Sequence, residues 1–397
     1  MERMELSNMA RPYDPEITGQ VRPIPVAYLL HTIAYGGIET VILNWIEAMD
    51  TRRYQIHLIC FANPGETEAP FVEAARQRGI QVDKIPWSRR KPLFKAARTL
   101  AGIIRDKDIR ILHTHGWYAE FTGLLTAWLV PVKTLTTVYV WFDYDWRRNL
   151  IQWLDQYVIR YFDQVTAHCE YTRRDTIARG IPEAEIRTLI CGYRGQPYRI
   201  DDSERHRLRA EQGLADEHVV LVNVARFYPE KTHAALLRIF QHVHREVPAT
   251  RLWLVGTGPL EEALRRQVAE LGLEQVVRFT GFVSDLPRLL SLTDMQVHPA
   301  AIEGVPLAVL AGMSAGLPIV ASAVGGLPEI LADGRNGVLV EGGDEAAFVR
   351  AVLSLLADPQ RTRSLGQRAL EFVRTEYSLD AAVTQVADCY DALLAKR

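Results

Sequence analysis

From Ile24 onward, short runs of β-branched, aromatic and aliphatic residues alternate with longer stretches whose apolar positions recur every three or four residues. The runs PVAYLLHTI, YQIHLICF and IRILHTH predict strands, and ETVILNWIEAMD and FVEAARQRG predict helices between them. Strands separated by helices need crossover connections, so the rhythm predicts parallel βαβ units with the right-handed sense. A second series begins at HVVLVNVARF and continues through HAALLRIFQHVHREV, RLWLVG, PLEEALRRQVAELG, VVRFTGF, DMQVHPA, VPLAVLAGMSAG, LPIVAS and GVLVE. The predicted class is α/β, with two Rossmann-like doubly wound domains of similar length.

Between the two series, RGQPYRIDDSERHRLRAEQGLADE mixes Gly, Pro and charge without sustained apolar periodicity, as a linker would. The predicted organisation is a flexible segment 1–23, a first domain 24–195, a linker 196–216, a second domain 217–375 and a C-terminal helix 376–397. That helix shows apolar spacing at Val383, Val386, Tyr390 and Leu393, and is expected to be an amphipathic helix docking on another part of the chain.

Composition narrows the picture. A length of 397 residues suits two to three domains at roughly 150 residues each. Lys and Arg number 46 against 48 Asp and Glu, so no global basic excess points to nucleic acid. The longest nearly apolar run, Phe121 to Val132, falls short of the roughly 20 residues a spanning helix needs. The N-terminus lacks the apolar stretch of a secretory signal, and Cys60, Cys169, Cys191 and Cys389 lie far apart. A reducing cytoplasm and no structural metal are expected.

In open α/β sheets, ligands bind outside the carboxyl ends of the strands. After RLWLVG come Thr257, Gly258 and Pro259, a turn that lets backbone approach a ligand and that an ordinary tight βα turn would also carry. The first strand leads to Gly36 and Gly37 just before a helix whose free N–H groups can receive phosphate. Arg226 follows a strand and Lys231 lies five residues later; Arg as a bidentate donor and Lys as a point charge suit a diphosphate. His298 ends another strand, and Glu303, Gly304, Val305 and Pro306 form a turn before an apolar helix starting at Leu307 and Ala308. Glu303 reads either as a sugar-hydroxyl acceptor or as a helix-start residue favoured by the macrodipole.

The runs RFYPEK, VGTGPLEEAL, RFTGFVSDL, EGVPLAVLAGMSAGLPIVAS, GGLPEIL and DGRNGVLV, with GGIE and HTH upstream, together resemble the retaining GT-B glycosyltransferases of family four. The resemblance implies a GT-B fold, its two domains facing across a cleft and its C-terminal helix crossing back to the first, and metal-independent transfer, with retention, from a nucleotide-diphosphate sugar, a UDP-sugar being favoured, to a glycan, glycolipid or small acceptor. No further cofactor is implied. By position, Arg226 and Lys231 match the pair on the donor diphosphate, and Glu303 matches the first Glu of an E-x7-E motif that holds sugar hydroxyls. The amides around Leu307 and Ala308 match those facing sugar or phosphate. Gly36 and Gly37 match glycines near the phosphates, Gly258 a glycine near the nucleoside, and Val283 the loop beside the base. His115 matches a His close to the reacting centre. Ala311 stands where the motif has its second Glu, the usual ribose ligand, and Tyr139 where the family often has His. That gap keeps two other readings open: a degenerate nucleotide-sugar-binding subunit, or a nucleotide-sugar epimerase.

Two segments of the first half combine aromatics with cations. Trp87, Arg89, Arg90, Lys91 and Lys95 form one, and VWFDYDWRRNLIQWLDQYVIRYF, which begins just after Tyr139 and includes Trp141, forms the other. Both are expected to meet an acceptor glycan or an anionic membrane surface, placing the protein peripherally at the inner face of the membrane.

Overall fold

The computed structural model describes residues 22–30, 36–62, 70–87, 92–141, 146–194, 198 and 200–396. The chain divides into two compact units. The first comprises Met1–His168, Arg173–Leu189 and Val383–Arg397; the second comprises Cys169–Thr172 and Ile190–Ala382.

The strands of the first unit are β1 (Ile24–Leu30), β2 (Tyr54–Ala62), β3 (Val82–Pro86), β4 (Ile111–His115), β5 (Lys133–Val138), β6 (Gln164–Ala167) and β7 (Ile186–Thr188). All pair in parallel, in the order β3-β2-β1-β4-β5-β6-β7. The order reverses between β1 and β4. Right-handed crossovers therefore place α1 (Gly37–Ala48) and α2 (Pro70–Gln77) on one face. The other face carries α3 (Leu93–Asp106), α4 (Trp117–Ala127), α5 (Trp146–Val158) and α6 (Glu170–Ala178). Leu29, Ile59, Phe61, Ile85, Leu100 and Leu112 form its main core. Towards β5 and β6 the interior turns polar, with Thr114, Thr134, Thr136, Thr137 and Thr166 all buried. Their hydroxyls are satisfied locally, Thr166 donating to the Thr136 carbonyl at 2.9 Å and Thr136 to Glu120 at 2.7 Å.

The second unit includes α7 (Asp202–Glu211) and holds a parallel sheet in the order β10-β9-β8-β11-β12-β13. These strands are β8 (Val219–Val224), β9 (Thr250–Val255), β10 (Val277–Gly281), β11 (Met295–His298), β12 (Ile319–Ser322) and β13 (Val338–Val340). Around them lie α8 (His233–Glu246), α9 (Glu261–Glu270), α10 (Leu286–Leu290), α11 (Leu307–Ser314), α12 (Leu327–Ile330), α13 (Glu345–Leu356) and α14 (Pro359–Thr375). Phe227, Phe240, Leu252, Leu254 and Val297 centre the core. The last helix, α15 (Leu379–Ala395), starts in this unit, and its residues from Val383 on belong to the first.

The segment 196–216 contains α7, whose N-cap Asp201 accepts from the Glu204 amide at 2.8 Å. Arg209, buried in that helix, donates to the Leu292 carbonyl and pairs with Asp294 at 3.1 Å, so tertiary contacts hold a helix that apolar periodicity does not announce. Trp87 and Trp141 are not surface aromatics. Both are buried: Trp87 packs against Phe61 with tilted rings whose centroids are 4.5 Å apart, and the Trp141 indole N–H donates to Thr176. Among the described residues, no helix is long and apolar enough to cross a membrane.

Candidate functional site

At the carboxyl edge of the second sheet, the chain leaves β8 at Arg226 and tightens into a turn at Pro229–Lys231. Thr232 then adopts left-handed φ and ψ of 48° and 36° as it enters α8, an unusual conformation for a β-branched residue. A hydrogen bond from the Ala301 amide to the Glu230 carbonyl, 2.9 Å, ties this turn to the loop after β11. Lys231 Nζ consequently lies 2.5 Å from Glu303 Oε1, and His298 Nε2 lies 2.8 Å from the same oxygen. Glu303 is almost fully buried, which alone would raise its carboxyl pKa. The hydrogen bond from His298 and the Lys231 ammonium outweigh burial and hold it down to about 2.

Arg226 is exposed, with its guanidinium 4.9 Å from the Tyr228 ring centroid, and it pairs with no carboxylate among the described residues. Helix α11 begins after Pro306 without a side-chain cap, so the first-turn amides of Leu307 and Ala308 have no intrahelical acceptor. Ala311 and Val305 are buried, whereas Gly304 and Pro306 are half-buried. Gly258 sits where β9 turns toward α9, and a Cβ there would meet the Phe227 carbonyl oxygen at 2.6 Å. That close approach is a structural reason for this glycine. Val283, two residues past β10, is half-buried in its own loop.

Two participants were not picked out by motif. His298 reaches Glu303 from the end of β11, and its position at a strand end five residues upstream is the signal that was there to read. Gly325 adopts φ of 57°, and a Cβ on it would fall 1.8 Å from the Glu303 carbonyl oxygen, so the turn after β12 supports the Glu303 backbone.

In the first unit, His115 ends β4, buried beside the equally buried His113 and against the half-buried Tyr139. Its Nδ1 lies 3.1 Å from the Tyr139 hydroxyl, and its Nε2 is buried with no partner among the described residues. Burial lowers its pKa to about 3, so the ring is neutral at ordinary pH and offers a hydrogen bond rather than a charge. Gly36 caps α1, where its carbonyl accepts the Thr40 amide and hydroxyl; the residues just before it, 31–35, are outside the described set. Arg89, Arg90 and Lys91 also lie outside the described residues, and Lys95 is exposed on α3. Among the described residues, no group of three or more His, Cys, Asp and Glu is placed to hold a metal ion.

Two Rossmann-like units, the second with a basic and acidic cluster at its carboxyl edge, define the GT-B class. Residues 35–193 match the family Glycosyltransferase Family 4, and residues 204–372 match Glycosyl transferases group 1. The chain belongs to the GT-B glycosyltransferases of the family-four type. It is similar to a GDP-mannose-dependent alpha-(1-6)-phosphatidylinositol monomannoside mannosyltransferase of Mycolicibacterium smegmatis, 34% identical over 51% of this chain and 56% of that protein. That match therefore spans little more than half of the relative's length. The putative glycosyltransferase EpsD of Bacillus subtilis is 26% identical over 88% of this chain and 92% of its own. Among solved structures, Anabaena Alr3699/HepE in complex with UDP-glucose superposes with a TM-score of 0.83 at 19% identity, covering 93% of this chain and 100% of that one. Sucrose-phosphate synthase from Thermosynechococcus elongatus gives 0.78 at 20% identity, covering 94% and 100%. These two likenesses show the fold.

Proposed function

We propose that the second unit binds a nucleotide-diphosphate sugar and that the chain transfers the sugar, with retention and without a metal ion, to a glycan, glycolipid or small acceptor recognised by the first unit. The observation that carries this reading is the cluster of Lys231, Glu303 and His298, with Arg226 five residues before Lys231 in the same loop and paired with no carboxylate among the described residues. Arg226 grips the diphosphate bidentately and Lys231 adds a point charge, together stabilising the negative charge that develops on the leaving group. Glu303, held anionic, accepts hydrogen bonds from sugar hydroxyls, and the Leu307 and Ala308 amides face sugar or phosphate. The bond from the anomeric carbon to the phosphate oxygen breaks as the acceptor oxygen bonds on the same face, and the departing phosphate takes the acceptor proton. His115 donates a neutral hydrogen bond to a substrate hydroxyl.

A UDP-sugar is the favoured donor, supported by the solved neighbour in complex with UDP-glucose. The relative named as GDP-mannose-dependent makes GDP-mannose the necessary competitor in a donor panel. Replacing Arg226 or Lys231 by alanine is expected to lower kcat by about 10²-fold or more, with a smaller effect on donor affinity. Turnover at the wild-type level in both variants rejects the assignment, and NMR of the product anomer tests retention.

A further inference from the structure

Strand β4 carries two buried histidines whose ring nitrogens are used differently. His113 Nδ1 lies 2.9 Å from the Tyr390 hydroxyl and its Nε2 lies 2.7 Å from the Thr137 hydroxyl, so both are satisfied inside the first unit. His115 engages one nitrogen: Nδ1 lies 3.1 Å from the Tyr139 hydroxyl, and Nε2 is buried without a partner among the described residues. Native folds pair nearly all of their buried polar atoms. An orphaned ring nitrogen at the carboxyl end of a parallel strand therefore marks a place for an atom of a ligand.

The ring is held on several sides. Tyr28 stacks on it with centroids 5.6 Å apart and planes 15° apart, and the His113 ring lies 4.3 Å away. Tyr139 follows β5 directly, and its own ring is backed by His168 at 5.2 Å. His168 is anchored in turn, its Nδ1 donating to the Val138 carbonyl at 3.3 Å. With the rings fixed, the open choice is which His115 nitrogen carries the proton.

Acid–base chemistry decides it. Burial keeps His115 neutral, so there is one ring proton to place. A phenol, with a pKa of about 10, is a far stronger donor than a neutral imidazole N–H, and an imidazole nitrogen is a better acceptor than a phenol oxygen. We infer that Tyr139 is a positioning residue: its hydroxyl donates to His115 Nδ1, which fixes the ring proton on Nε2 and presents it to a substrate oxygen. The inference rests on the transfer reading for that substrate, whereas the tautomer belongs to the protein alone. A nitrogen that already holds its proton cannot take one from the acceptor, so His115 is a donor and not the general base.

The test is NMR of the ring nitrogens in the full chain, isotopically labelled in histidine, with the His115 signals assigned from His115→Gln. Wild type is expected to show a protonated Nε2 and an unprotonated Nδ1 shifted by an accepted hydrogen bond. Tyr139→Phe keeps the ring and removes the hydroxyl. It is expected to lose that shift at Nδ1 and to lower kcat by about tenfold with the donor KM little changed, as loss of one positioned hydrogen bond does. A protonated Nδ1 in wild type overturns the inference, as do unaltered His115 signals or an unaltered kcat in Tyr139→Phe. If wild type transfers from no nucleotide sugar, the transfer reading fails, and the NMR spectra still decide where the proton sits. Should Tyr139→Phe fail to fold, the wild-type tautomer decides alone.

Discussion

At the scale of single residues, Glu303 shows how burial is reconciled with charge. A carboxylate removed from water is costly unless paired, and Lys231 and His298 converge on one of its oxygens. Removing either partner leaves the buried charge with the other alone, so Lys231→Ala should lower stability as well as turnover, and a melting curve beside the kinetics separates the two effects. Ala311 is the contrasting case. It is buried in α11, and that helix sits hard against β11: Gln296 donates to the Ala308 carbonyl, and a Cβ on the neighbouring Gly312 would lie 1.7 Å from the Gln296 Oε1. Restoring the carboxylate of the family motif with Ala311→Glu is therefore expected to cost about 1 to 3 kcal/mol of stability, as a buried and unpaired polar group does. It should leave nucleotide affinity no tighter. Calorimetry with UDP beside thermal melting checks this, and a stably folded variant with tighter binding would show instead that the ribose pocket has kept its shape. Arg226, Lys231 and Glu303 stand out in the sequence because each lies in a short local motif, and the fold brings Lys231 and Glu303 together. The role of His298 does not stand out, since it depends on the loop after β11 folding back on the strand end. Trp87 was misread for a related reason: its neighbours in sequence are cations, but its neighbour in space is Phe61.

At the scale of elements, strands and helices with regular apolar spacing were readable from Ile24 to the C-terminus. Not singled out were α7 and the inversion of α4 and α5, which bury Glu120, Gln152 and Asp155 while Trp146 and Trp153 stay exposed. Periodicity reports that a helix has an apolar side, not which side faces in. That is decided by partners such as the threonines of β4 to β6, which accept a polar helix face. The buried carboxyl pair beneath α5 has a thermodynamic consequence. Burial raises the Glu120 pKa from 4.5 to about 7, and burial beside Glu120 raises that of Asp155 as well. Between 4.5 and about 7 the folded chain keeps a proton that the unfolded chain has released. This contribution is therefore fully present below the unfolded pKa and is lost as pH rises through the folded one. Glu120→Gln keeps a hydrogen-bonding group without the ionisation. Its melting temperature relative to wild type should rise steadily with pH across that window, and a constant difference at every pH would remove the pair as a source of pH dependence.

At the scale of the whole molecule, the two ends of the described chain meet in one unit. Strand β1 lies inside the first sheet, between β2 and β4, and the end of α15 packs in the same unit. Tyr390 is fully buried; its hydroxyl donates to the Tyr28 hydroxyl at 2.8 Å and lies 2.9 Å from His113 Nδ1. The Tyr54 hydroxyl meets the Asp391 carboxylate at 2.5 Å. The second unit, by contrast, contains β8 to β13 and their core without any residue after Ala382. Ending the chain at Ala382 removes Val386, Tyr390 and Leu393, all buried, and leaves Tyr28 and His113 without these partners. Loss of large buried side chains costs about 2 to 5 kcal/mol each, and a domain has roughly 5 to 15 kcal/mol to lose. The truncated chain should thus lose hydrogen-exchange protection in β1, β2 and β4 while keeping it in β8, β9 and β11. Tyr390→Phe, which removes hydroxyl bonds but keeps the ring, should cost only about 1 kcal/mol. Equal loss of protection in both sheets on truncation would mean that the second unit depends on the first for its stability, although its sheet and core are complete without the removed residues.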